Sequence, residues 1–295
     1  MDVLILGATG YAGSAIERAF SRRGHWTVAT ARSDIARVTL ASRGIAHAFG
    51  DATRPETLVE PVKRADAVVY CVQATDADPW EVDLRAIRAI ARTMAGTERT
   101  FVYLSSTWVY GETESVVDES APLKPPPHLE KRAKLEQMVL NMVKIGIRGL
   151  VLRAGVTYGD GGGIPAMFVQ SARQRLSTML LGNGENHWAT IARDDLASLM
   201  VLVAERGKPG AAYNAVDDSA FTMREIAEAA SRGAGAGGAI TTVSPGILGP
   251  FGESLLLDQR VSNARAKRDL GWAPNAQPIV DELEYGSYPI ALIAS

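Results

Sequence analysis

The run Val3-Leu-Ile-Leu6 is apolar at every position, and glycines stand directly behind it at 7, 10 and 13. An apolar run this short, without alternation, reads as a strand buried on both faces, as strands are when helices cover a parallel sheet on either side. The unit then recurs along the chain. A helical pattern over 11–23 leads to WTVAT (26–30), a helix near 34–42 to IAHAF (45–49), and a helix near 55–63 to AVVYCV (67–72). A long helix near 81–95 leads to TFVYLSS (100–106), and a helix near 128–144 to IRGLVLR (147–153). Strand and helix in alternation predict an α/β, doubly wound parallel sheet whose strand ends, and hence any site, lie along one edge.

The glycine spacing gives that edge a chemistry. In Gly7-Ala-Thr9-Gly10-Tyr11-Ala12-Gly13, Gly7 permits the tight turn, Gly10 lets backbone approach a pyrophosphate, and Gly13 lets helix pack on strand. The start of the following helix supplies amide donors and a partial positive charge. The pattern therefore predicts a Rossmann-type dinucleotide-binding domain over 1–159, with Gly7, Thr9, Gly10, Tyr11, Ala12 and Gly13 around the phosphates. Beyond about 160 the rhythm loosens, with a glycine-rich GDGGGIP (159–165), a capping box at Thr222-Met-Arg-Glu225, and SRGAGAGGAI (231–240) read as a flexible loop. Residues 160–295 are expected to form mainly a smaller substrate-binding lobe, with some strands returning to the first domain.

The second strand decides which dinucleotide. NAD binders usually place an acid at its end, on the ribose hydroxyls. Here the strand runs into Thr30-Ala-Arg32-Ser33, a guanidinium and a hydroxyl that suit a 2′-phosphate, so NADP(H) is favoured over NAD(H). The alternative is that Arg32 is a solvated loop residue and Asp34 reaches a ribose.

The chain as a whole excludes several partners. At 295 residues with a net charge of −2 and no basic stripe, neither nucleic acid nor an anionic membrane is expected. Cys71 is the single cysteine, which rules out an internal disulfide and a cysteine metal site and fits a reducing compartment. The start MDVLILG carries no basic leader and no apolar run approaches membrane length, so a cytoplasmic location is expected.

Several motifs together resemble the extended short-chain dehydrogenases/reductases, the group that includes sugar-nucleotide epimerases and dehydratases. The glycine turn is one. Ser105-Ser-Thr-Trp-Val-Tyr-Gly111 matches a Ser-Ser-x-x-Val-Tyr-Gly signature. Leu152-Arg-Ala-Gly-Val-Thr-Tyr-Gly159, Asp194-Asp-Leu-Ala197 and Ser262-Asn-Ala-Arg-Ala-Lys-Arg-Asp-Leu-Gly-Trp272 match later landmarks, so the resemblance covers nearly the whole chain. It implies that Asp51, with Ala52 behind it, contacts the adenine, and that the strand ending Val72-Gln73 lines the cofactor. It also implies a homodimer through the helices near 81–95 and 128–144, and a small-molecule substrate.

In such proteins a Ser or Thr orients the substrate oxygen, a Tyr carries the proton, and a Lys lowers the tyrosine's pKa and holds the ribose. The resemblance places Ser106 as that serine, with Thr107 beside it; the structural alternative is a hydroxyl capping a strand end. The Tyr-x-x-x-Lys pair is absent, because no tyrosine lies between Tyr110 and Tyr158. Two registers can replace it, His128-x-x-x-Arg132-x-x-x-Glu136 or Glu130-x-x-x-Lys134. At about 100° per residue the two pairs face nearly opposite directions. Leu129, Leu135, Val139, Met142 and Val143 spread around the direction of His128 and Arg132, whereas Glu130, Lys134, Gln137, Asn141 and Lys144 share the other face. His128 and Arg132 are thus the inward candidates, with Glu130 and Lys134 an exposed ion pair. Histidine carries a proton near neutral pH, but a guanidinium does not, so the alternative is a cofactor-binding shell whose catalytic pair is lost.

Further along, Trp188 stands where relatives place a phosphate-binding arginine, either to stack on a ring or to cover the core. Asp194 is expected to cap the helix after it, and His25 and His47 lack metal-ligand spacing. The expected function is oxidation, reduction or epimerisation at a hydroxyl or carbonyl carbon of a small polar, sugar-like compound. The rivals are a catalytically inert NADP(H) sensor, and a non-redox isomerase or cyclase using the same pocket.

Overall fold

In the computed structural model, which describes residues 1–73 and 78–290, the alternating pattern becomes a single large sheet. Its strands β1 (Asp2–Leu6), β2 (Trp26–Ala31), β3 (Ala46–Phe49), β4 (Ala67–Tyr70), β5 (Thr100–Ser106) and β6 (Arg148–Ala154) are joined by a seventh at Ala212–Ala215. The order across the sheet is Ala212–Ala215, β6, β5, β4, β1, β2, β3. β1 pairs in parallel with both β2 and β4, so the strand that feeds the glycine turn lies inside the sheet. All four residues of β4 and the last four of β1 are buried, which is why neither run alternates.

The helices are α1 (Tyr11–Arg22), α2 (Asp34–Ser42), α3 (Val59–Lys63), α4 (Pro79–Met94) and α5 (Glu130–Leu140). Leu4, Leu6, Val68, Tyr70, Phe101 and Tyr103 of the strands pack with Ala86, Ile87 and Ile90 of α4 and Leu135 and Val139 of α5. Each large side chain buried in this way contributes roughly 1.5–3 kcal/mol.

Three local expectations need correction. The helix near 128–144 is a composite: a 3₁₀ turn at Pro127–Leu129, then α5, then a 3₁₀ segment at Asn141–Ile145. Because 3₁₀ geometry turns about 120° per residue, the apolar stripe drifts after Leu140 and Val143 is 40% exposed. The stretch 231–240 is a loop only over its middle, 234–239. Ser231–Gly233 close the helix Met223–Gly233, Ile240 opens the strand Ile240–Val243, and the buried Ser231 hydroxyl donates to the Ala239 carbonyl at 2.8 Å across the connection. Asp194 lies inside the helix Arg193–Arg206 rather than at its cap, in the first turn, where a negative charge suits the dipole.

The chain divides into two compact units. The first comprises Met1–Ser105, Lys131–Leu152 and Ala197–Tyr213, and holds most of the sheet; the second comprises Ser106–Glu130, Arg153–Leu196 and the chain from Asn214 on. In the second, Val156–Gly159 pairs in parallel with Thr190–Ala192, and Thr178–Leu181 with Ile240–Val243. The Thr222–Glu225 capping box is present, each residue's side chain meeting the other's backbone amide. The core of this unit gathers Phe168, Leu180, Leu181, Trp188, Met223, Ile226 and Leu283. Among the described residues no helix is long and apolar enough to cross a membrane.

Trp188 is 2% exposed, stacks on Phe168 with ring centroids 5.5 Å apart, and donates its indole N–H to the Leu255 carbonyl at 2.8 Å. Of the two roles open to it, covering the core is the one observed. Trp188→Arg would bury a guanidinium among apolar neighbours and is expected to cost at least about 3 kcal/mol. Chemical denaturation checks this, and an unchanged unfolding midpoint would show that the side chain escapes the core.

Candidate functional site

Parallel strands send their carboxyl ends to one edge of the sheet, and the first unit collects its cofactor candidates there. Gly7 follows β1, Arg32 and Ser33 follow β2, Asp51 and Ala52 come just after β3, and Val72 and Gln73 come just after β4. The described concavity of about 590 Å³ lined by Trp26, Val28, His47, Phe49 and Arg64 contains none of them.

The turn after β1 is built from close backbone approaches. Gly7 adopts a φ of +92°, and a Cβ on it would lie 2.6 Å from the Cys71 carbonyl oxygen. The Gly10 N–H donates to the Gly7 carbonyl at 2.9 Å, and a Cβ on Gly13 would run into that same carbonyl. Gly10 is the N-cap of α1 and supplies no capping side chain. Thr9 and Gly10 are exposed, and Tyr11 and Ala12 half-buried. An uncapped helix start behind an open glycine turn fits a pyrophosphate, which would fill the place a capping side chain normally takes.

Around this cradle, Arg32 is exposed and makes no ion pair among the described residues. Ser33 has a structural task, its hydroxyl accepting the Ala36 N–H at 3.2 Å as the cap of α2. Asp34, the alternative ribose ligand, pairs with Arg37 at 3.3 Å on the solvent face. Burial raises the Asp51 carboxyl, but hydrogen bonds from the Thr53 hydroxyl and amide and from Arg54 outweigh it and hold the group below its ordinary range. Ala52 is buried in the core behind it. Burial pushes the Cys71 thiol up to about 12, so it stays a protonated packing group, donating to the Leu6 carbonyl.

The replacement for the missing pair divides between the two units. In the first, Glu130's neighbour Lys131 reaches Asp78 at 3.1 Å, while Lys134 and Gln137 are exposed and Leu135, Glu136 and Val139 are buried. Arg132 lies on the inward side, with its guanidinium 4.8 Å from the centroid of the Trp80 ring on α4. One turn along α4, the buried Asp83 accepts a 2.6 Å hydrogen bond from the Tyr70 hydroxyl. Burial raises the Asp83 carboxyl above its ordinary range against the pull of that bond and of Arg132, and burial pushes the Tyr103 phenol up to about 12. Arg132 is therefore held over an aromatic face, and its charge acts on the buried Asp83.

In the second unit, Ser106 accepts the Trp108 N–H at 3.2 Å, which makes it the cap of the 3₁₀ turn Thr107–Tyr110. The capping task leaves its hydroxyl proton available for a further acceptor. Thr107 is buried and donates to Gln259 at 2.9 Å. His128 brings Nε2 to 2.7 Å from the Ser254 Oγ and Nδ1 to 3.8 Å from the Glu253 carboxylate, both on the helix Gly249–Leu255. Trp80, Asp83 and Ser254 are not evident from motif reading. Asp83 leaves a trace, a carboxylate on the apolar face of α4 beside Val82, Ala86 and Ile87; Ser254, 126 residues from His128, leaves none.

A model of the NAD-dependent epimerase/dehydratase family matches residues 3–215. The chain belongs to that family. A Schizosaccharomyces pombe protein described as uncharacterized is 28% identical over 302 residues, covering 98% of this chain and all of that one. A 3-diazoavenalumate denitrifying reductase of a Streptomyces species is 27% identical over 299 residues, covering 93% of this chain and 96% of that one. A dTDP-glucose 4,6-dehydratase of Bacillus anthracis, solved with NAD, superposes with a TM-score of 0.82 over 99% of this chain and 97% of that one, at 17% identity, a likeness of fold.

Two substitutions separate the roles of the glycines. Gly10→Val is expected to leave stability within about 1 kcal/mol, since its Cβ meets only one carbonyl at 3.2 Å, while abolishing the thermal shift given by NADPH. Gly13→Ala is expected to destabilise the fold itself by about 1–3 kcal/mol. A surviving NADPH shift in Gly10→Val would place the dinucleotide elsewhere.

Proposed function

We propose that this protein is an NAD(P)-dependent oxidoreductase or epimerase acting at a hydroxyl or carbonyl carbon, with NADP(H) preferred. The observation that carries the reading is the uncapped start of α1 behind the Gly7–Gly13 turn, with Arg32 exposed at the end of the neighbouring strand. The reductase activity named for the Streptomyces relative, and the NAD in the dehydratase structure, support nicotinamide chemistry.

The division of labour follows from the side chains. A bound nicotinamide would supply or accept the hydride. Arg32 would meet a 2′-phosphate with a planar fork, a geometry that a lysine would not offer. Arg132, held over Trp80, would donate to a ribose oxygen in the role that relatives give to lysine, as a fixed cation that does not exchange its proton. Ser106 donates its hydroxyl proton to the substrate oxygen. His128 moves the proton, its ring oriented by Ser254 and Glu253 as bases are commonly oriented by a third group.

Those same contacts favour one rival. If both ring nitrogens serve only to fasten the helix Gly249–Leu255, the protein binds dinucleotide without turnover and acts as a sensor. His128→Ala separates the two readings. A proton carrier is expected to lose about 10²–10⁴-fold in rate with NADPH affinity kept, whereas Lys134→Ala changes the rate little. The sensor reading stands if no carbonyl compound drives NADPH oxidation in the unaltered protein.

Cofactor choice has its own test. NADPH is expected to bind more tightly than NADH, and Arg32→Ala to remove most of the difference, about 1–3 kcal/mol for a charge-assisted contact. Equal affinities by calorimetry in the unaltered protein would contradict this.

A further inference from the structure

We infer that the compound handled beside Ser106 and His128 is a flat, apolar carbonyl compound, an aryl or conjugated ketone or aldehyde, and not a sugar carried on a nucleoside diphosphate. The inference rests on the roles proposed above for those two residues and concerns what lies next to them in the second unit.

The Ser106 hydroxyl caps the turn that carries Trp108, whose own N–H it accepts at 3.2 Å. The Trp108 ring meets Phe251 edge-on, with centroids 6.0 Å apart and planes at 67°. Phe251 lies on the helix Gly249–Leu255, the helix that holds His128 through Ser254 at 2.7 Å. One 3₁₀ turn and one short helix thus carry the two rings, Ser106 capping the turn and His128 bonded to the helix. Trp108 is half-buried with one side packed on the core of this unit, while Phe251 is 37% exposed, so the pair is open on the Phe251 side. A half-open edge-to-face pair leaves aromatic surface on which a planar ligand can stack.

The charges point the same way. The ionisable group nearest His128 on this helix is Glu253, a carboxylate that repels a diphosphate. The arginine that resemblance calls for is Trp188, which is buried against Phe168 and has its N–H engaged by Leu255. A nucleotide-linked sugar would therefore meet a carboxylate and aromatic rings where it needs cations. An aryl carbonyl would meet rings along its body and hydroxyl and imidazole at its oxygen.

The test titrates the full-length protein, loaded with NADP⁺, with acetophenone, cinnamaldehyde and UDP-glucose by calorimetry, and follows NADPH oxidation with the same carbonyl compounds. Acetophenone or cinnamaldehyde is expected to bind more tightly than UDP-glucose. Phe251→Ala is expected to weaken that binding at least ten-fold and leave NADP⁺ affinity unchanged, with Phe251→Leu intermediate. Aryl binding without turnover supports this inference and counts against the redox reading. Tighter binding of UDP-glucose, or aryl binding that Phe251→Ala and Trp108→Phe both leave unchanged, overturns it, even if the protein reduces other carbonyls.

Discussion

The contact on which the site depends is backbone against backbone: Gly7 and Gly13 lie so close to neighbouring main chain that side chains are excluded, and the Gly10 N–H closes the turn on the Gly7 carbonyl at 2.9 Å. Gly7 lies against the Cys71 carbonyl across the β1–β4 step of the sheet, and Gly13 brings α1 down onto Gly7 itself. That approach fixes where α1 starts, and with it the direction of the amides and dipole at its first turn. A cap of Ser or Asp would satisfy those amides internally; glycine leaves them to a ligand. The sheet packing and the dinucleotide site are thus two consequences of one geometric requirement.

The second determinant is the direction in which α5 faces. The two registers differ by two residues, enough to exchange the inner and outer faces of a helix. The buried Leu135, Glu136 and Val139 and the exposed Glu130 and Lys134 place Arg132 on the inner side, where Trp80 receives its guanidinium. Arginine suits that setting, because its flat, delocalised charge stacks on an indole better than an ammonium does.

Much of this was legible in the amino-acid sequence, for identifiable reasons. Strand and helix periodicity are local signals, so α2 and β5 fall at their expected bounds, and the glycine turn follows because its spacing is itself the geometry. The face of α5 was readable because amphipathicity is periodic, but only as far as Leu140, where the change to 3₁₀ winding moved Val143 outward. Contacts between distant segments left no such trace. Trp80 under Arg132 and Ser254 against His128 depend on how α4 and the helix Gly249–Leu255 pack, and single-sequence patterns carry no register between elements. Trp188 was ambiguous for a related reason, since an aromatic residue serves equally in a pocket or a core until its neighbours are known.

The central claim is that a nicotinamide dinucleotide lies along the carboxyl ends of β1 to β4. Hydrogen exchange with and without NADPH, read by mass spectrometry on the unaltered protein, tests it most directly. The account predicts slowed exchange in the backbone around 7–13, 31–34, 51–54 and 71–73, strongest at the first turn of α1. Protection that misses the glycine turn, and falls instead on the cavity of about 250 Å³ lined by Asp217, Ser219, Arg260 and Asn263, would contradict it.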